Sequence, residues 1–189
     1  MRTNTEMRAI NPPPPSSTAR APTEPLTLRP TTGPQPTPTA GHRRMAAFLG
    51  AWQSDGRSRP SPYDPVAPTA TSPLPVRMHG SHVGEWLPGE FFLINRWDQR
   101  VGNVGFRGLW VMGYDSKTDR YFLHLFDDAG NSVGYRATVE GQVWTIVGDR
   151  QRATFRFSDD GATMTQQWSM RDGDAWVPLC DVRAIRAGS

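Results

Sequence analysis

Four histidines, one cysteine and an Arg–Asp pair are the side chains whose spacing could support chemistry. His79 and His82 are three apart, so on a strand they point to opposite faces and cannot grip one metal without a bulge. His124 stands between Phe122 and Phe126. There it reads either as a hydrogen-bonded core imidazole or as the polar head of a binding site. Arg96 and Asp98 share one strand face, Asn95 and Trp97 the other. Turned inward, Arg96 demands an anionic ligand or a carboxylate partner; turned outward, it pairs with Asp98. A single cysteine, Cys180, excludes an intrachain disulfide, a CxxC zinc site and a thioredoxin motif. No Ser-His-Asp spacing, nucleophile elbow, phosphate loop or paired-carboxylate motif is present. Neither a metal nor a cofactor is therefore expected, and catalysis is left open.

Seven tryptophans, at 52, 86, 97, 110, 144, 168 and 176, dominate the composition. An indole fills a large apolar volume while keeping one N–H that needs a partner. The rings either pack a small core solid or line a cavity for a flat or hydrophobic ligand. Alternation groups Phe106, Trp110, Met112 and Tyr114 on one face, and Met164, Gln166, Trp168 and Met170 on another. The row carrying Trp168 is expected to face inward.

The elements that must position these residues are strands. Gly84–Asp98 is the organising stretch, two extended runs joined at Leu87-Pro88-Gly89, where Pro88 pre-sets φ and Gly89 supplies the positive φ of a type II turn. From Val76 onward strand signals recur about every ten residues, the spacing of all-β barrels and sandwiches. They are Val76–Trp86, Glu90–Asp98, Val104–Tyr114, Arg120–Phe126, Ser132–Glu140, Gln142–Gly148, Gln151–Ser158, Thr163–Met170 and Ala175–Ile185. A strand at Trp52 makes about ten. Short turns argue an up-and-down meander, and closure removes the exposed edges. The expected fold is all-β, a closed antiparallel barrel, with a two-sheet sandwich as the alternative.

Domain organisation follows from the prolines. Of 18, ten precede Thr39 and six lie between Pro60 and Pro75. Residues 1–44 read as a disordered Pro/Thr-rich tail, and residues 45–189 as the barrel domain, opening with about one helical turn over Met45–Gly50. Pro60–Pro75 reads as a long loop, a flap at the barrel mouth. The tail carries six arginines against two glutamates, so the net charge of +3 belongs to it. The nearly neutral remainder lacks the clustered basic face of a nucleic-acid reader. With no apolar run able to span a bilayer and no hydrophobic N-terminal stretch, no membrane partner is expected and the cytoplasm is the default compartment.

Several segments resemble a known family. Leu49-Gly50-Ala51-Trp52 fits the L-x-G-x-W opening of calycin-like barrels, and Trp86–Leu93 resembles the W-L-x-G-x-F-F-L segment of a family of uncharacterised, largely actinobacterial proteins. Gly113-Tyr114-Asp115, Tyr121 to Asp127, Gly141–Trp144 and the F-x-F-S-D-D-G of Phe155–Gly161 agree with it. The likeness covers Ala46 to Ile185. It implies a lipocalin-like barrel and no established activity. More distantly the opening is similar to nitrobindin, a ten-stranded haem barrel shaped like fatty-acid-binding proteins, whose haem is held by a histidine near the C-terminus. Here no histidine follows His124, and Trp52 leads into Gln53-Ser54-Asp55-Gly56-Arg57 rather than a glycine-rich run.

The functional expectation is a barrel that binds a small hydrophobic or aromatic ligand. Trp97, Trp110, Trp144 and Trp168 line the cavity, with polar orientation from His124, Arg96, Tyr135 or Gln166. The rivals are an isomerase or cyclase on the same barrel, with His124 or an arginine polarising the substrate, and a haem protein of the nitrobindin kind. Phe91–Ile94, apolar on both faces, suggests a homodimer.

Overall fold

The computed structural model describes residues 36–59 and 75–188. The chain divides into two units, Met1–Gln35 and Pro36–Ser189. The first lies outside the described residues, as does the proline-rich 60–74 stretch read as a flap.

The second unit is a ten-stranded barrel. In chain order the strands are β1 (Gly50–Ser58), β2 (Val76–Trp86), β3 (Phe92–Val101), β4 (Val104–Asp115), β5 (Arg120–Asp127), β6 (Ser132–Glu140), β7 (Val143–Val147), β8 (Gln151–Phe157), β9 (Thr163–Asp172) and β10 (Ala175–Arg186). Each pairs antiparallel with the next, and β1 also pairs with β10, Trp52 opposite Arg186, closing the sheet on itself. The barrel, not the sandwich, is the fold. Closure leaves no edge strand to template association.

The β2–β3 turn forms as its residues require. Glu90 N–H donates to the Leu87 carbonyl at 2.9 Å, with Gly89 at φ 92°. Asp127 shapes the β5–β6 turn, its carboxylate accepting from Ala129 N–H at 3.0 Å and Asn131 N–H at 2.8 Å.

The folded domain starts earlier than composition indicated. Ala40–Arg44, assigned above to the tail, form α1, and Met45–Phe48 continue it as a 3-10 turn. The proline content upstream hid a short segment held by tertiary contacts. His42 is buried, edge-on to Phe91 and Tyr114 at 5.1 Å from each ring, and Tyr121 donates its hydroxyl proton to the Gly41 carbonyl at 2.9 Å. The turn is the barrel's stopper. Met45 and Phe48 are fully buried, and the Phe48 ring stands edge-on to Trp110, Trp144, Phe155 and Phe157 at 5.0–5.6 Å. Gly84 permits this, since a Cβ there would collide with the Phe48 carbonyl oxygen. Arg186 completes the seal, its guanidinium 4.3 Å above the Trp52 ring and hydrogen-bonded to the carbonyls of Leu49 and, at 3.0 Å, Gly161. Burying each of these large side chains contributes about 1.5–3 kcal/mol.

Candidate functional site

Period-two alternation on a closed sheet gives every strand one face towards the lumen. The burial pattern identifies it: Trp52, Ser54 and Ser58 on β1, His82 on β2, Leu93, Asn95 and Gln99 on β3. Trp110 and Met112 follow on β4, then Tyr121 and Leu123 on β5, and Tyr135 on β6. The stopper fills one end. Beyond it, inward-facing side chains in mid-strand are only partly covered, Trp97, Trp168, Gln166 and Leu125 among them.

Six of the eight expected site residues lie on this inner face. Trp97 sits edge-on to Phe106 at 5.1 Å, with its ring over Gly108, where any Cβ would strike the indole. Trp168 stands edge-on to Phe155 at 5.8 Å and to Tyr135 at 6.3 Å. Gln166 is half-buried one inward position below Trp168. Tyr135 donates to Gln151 Oε1 at 2.8 Å, and burial, with the charge of Asp127, pushes its pKa up to about 12; the phenol is neutral at any working pH. Trp110 and Trp144 lie deeper and pack directly against the Phe48 stopper.

Two expectations are corrected. His124 is exposed on the outer wall, hydrogen-bonded to Ser132 Oγ at 2.9 Å and stacked on Phe126 at 4.7 Å. Both rows of β5 are apolar, so alternation alone could not say which turned in. Arg96 is also outside, paired with Glu85 across the β2–β3 ladder, while Asp98 takes Arg107 at 2.8 Å. These pairs are more than half exposed and are worth little to stability. His124 instead borders a cleft of about 500 Å³ on the outer surface, where the β6–β7 pairing ends and Tyr135 meets Gly148. Most of its lining is exposed surface, including Arg136, Val147 and Asp149.

Sequence reasoning missed a polar wall on β1–β3. Ser54, His82, Asn95 and Gln99 are at most 7% exposed. Ser54 and Gln99 stand on strands separated by β2, yet meet over Gly80, which lacks a side chain to part them. Gln99 Nε2 donates to Ser54 Oγ at 3.2 Å, and Ser54 donates to the Gly80 carbonyl at 3.1 Å. His82 lies opposite Trp52 on one side and Trp97 on the other. Desolvation by burial lowers its pKa to about 4, so the imidazole is neutral at pH 7. His79, on the same strand, faces out, as the three-residue spacing requires.

The arrangement suits binding through shape and neutral hydrogen bonds. Among the described residues no group of three or more His, Cys, Asp or Glu side chains converges as a metal site would need. The inward positions of β10 carry Cys180, Val182, Ala184 and Arg186. A haem held by a histidine near the C-terminus does not fit them.

A family model described as a protein of unknown function, DUF1579, matches residues 37–183. A comparison with curated proteins found no match. Among the described residues no helix is long and apolar enough to cross a membrane.

Proposed function

The chain belongs to the DUF1579 family, and we propose that its barrel binds a small, largely apolar ligand in the open half of the lumen. One observation carries the reading: Trp97 and Trp168 point into a closed barrel from mid-strand and are left half-covered. A large apolar ring is an expensive group to leave wet inside a fold, and a guest ring or chain would complete its packing. Trp97, Trp110, Trp168 and Tyr135 grip the ligand body, Gln166 contributes a polar contact, and Trp144 supports the floor. The up-and-down closure and the Leu49–Trp52 opening support a lipocalin-like relationship. The single thiol, buried Cys180, suits a reducing compartment such as the cytoplasm.

A second reading, an isomerase or cyclase acting on a hydrophobic substrate, is favoured by His82. Its imidazole is neutral and lies on the inner wall, so it could accept a proton from a bound substrate. His82 takes the place that sequence gave to His124. Native mass spectrometry of protein purified from its own host tests the binding reading. A retained small molecule, lost on denaturation, is the expected result; an empty barrel that also refuses hydrophobic ligands in titration overturns it.

A further inference from the structure

The polar wall of the lumen narrows the class of ligand, an inference that rests on the binding reading above. Two of its pairs are already satisfied internally, Ser54 with Gln99 and Tyr135 with Gln151. His82 and Asn95 are not. They are 6% and 2% exposed, and among the described residues neither side chain makes a hydrogen bond. Every side-chain nitrogen or oxygen sealed from solvent does have a partner among the described residues. The small residual exposure of His82 and Asn95 is therefore at their polar atoms, and those atoms face the lumen.

Charge is missing from the same space. Among the described residues, the buried and half-buried inward positions of the ten strands carry one arginine and one aspartate. Arg186 is engaged at the stopper and Asp127 in the β5–β6 turn. A carboxylate or ammonium entering the lumen would lose its hydration with no counter-ion to meet it. A neutral head loses far less and gains two partners, an amide that donates and accepts and an imidazole that does either.

We infer that the lumen takes an uncharged amphiphile, an aromatic or alicyclic body against the indoles of Trp97 and Trp110, with a neutral hydrogen-bonding head such as an amide, ketone or alcohol held by His82 and Asn95. Fatty acids and other organic anions are excluded by the same wall. Long unpaired polar side chains in a core are costly; here the ligand head satisfies them.

Three shape-matched probes test this by titration calorimetry of the full chain at pH 7.5: naphthalene, 2-naphthamide and 2-naphthoate. The amide should bind about tenfold tighter than naphthalene and at least about tenfold tighter than the carboxylate. Asn95→Leu and His82→Leu should each shrink the amide's advantage over naphthalene measured on the same variant. If either variant fails to fold, the order of the three probes on the unaltered protein still decides. Naphthoate binding as tightly as the amide overturns the neutral-head assignment and leaves the apolar cavity standing. An amide advantage that survives in both folded variants overturns the roles of His82 and Asn95. Failure of all three probes overturns the binding reading itself, and this inference with it.

Discussion

The imidazole of His82 lies parallel to the indole of Trp52, ring centroids 5.9 Å apart and planes 13° from parallel. The two strands bring them opposite each other, one inward position from Gly84, where the stopper packs. Burial holds the histidine in its uncharged form.

That has a consequence for acid stability. The folded pKa of His82, about 4, lies below the ordinary value of 6.5, so the unfolded chain binds the proton more tightly. Stability should be full above about pH 6.5, fall as pH drops towards 4, and flatten below it. The loss attributable to this group is about 3 kcal/mol at most. His42, also lowered by burial and by Arg43, adds in the same direction. Melting temperature measured from pH 7.5 to 4.5 should fall, and His82→Phe should flatten the slope. An unchanged slope in that variant contradicts the assignment.

Phe48 should be the costliest stopper residue to truncate. It is 1% exposed and touches four inner aromatic rings. Phe48→Ala should destabilise by about 3–5 kcal/mol in urea unfolding. Phe92→Ala, on the outer wall at 41% exposure, should cost far less. Equal losses would mean that the stopper is not part of the core.

Gly84→Ala probes the same contact from the strand side. The added methyl meets the Phe48 carbonyl, which is backbone and cannot swing aside. A loss of about 1–3 kcal/mol is expected. Trypsin cleavage after Arg43 or Arg44 should quicken as the segment lifts away. Unaltered melting and unaltered cleavage would contradict the close approach.

Much of the barrel was legible because its strands announce themselves by turns. Val76–Trp86, Arg120–Phe126 and Ser132–Glu140 form within a residue of where alternation and turn chemistry put them. The inner aromatic set was legible wherever one row was apolar and the other polar, as around Trp168. It failed on β5, where Phe122 and Phe126 sit outside while Tyr121 and Leu123 point in. The polar wall was hidden for a different reason. The inward row of β2 runs Met78, Gly80, His82, Gly84, and its outward row Arg77, His79, Ser81, Val83, so hydrophobicity does not separate them. Glycines there serve close contacts, the Ser54–Gln99 bond over Gly80 and the stopper on Gly84, that exist only once the sheet has closed. The short α1 was masked by the prolines before it.

Titration with Nile red, a neutral apolar dye, tests the central claim most directly through tryptophan quenching. The account predicts saturable, single-site quenching that weakens on Trp168→Ala and on Trp97→Ala. Trp176→Ala should leave it unchanged, because that ring packs under Arg152 and Arg171, 4.8 and 5.8 Å away, on the outer wall. Quenching that never saturates, or that responds to Trp176 and not to Trp97 or Trp168, would contradict a binding site inside the barrel.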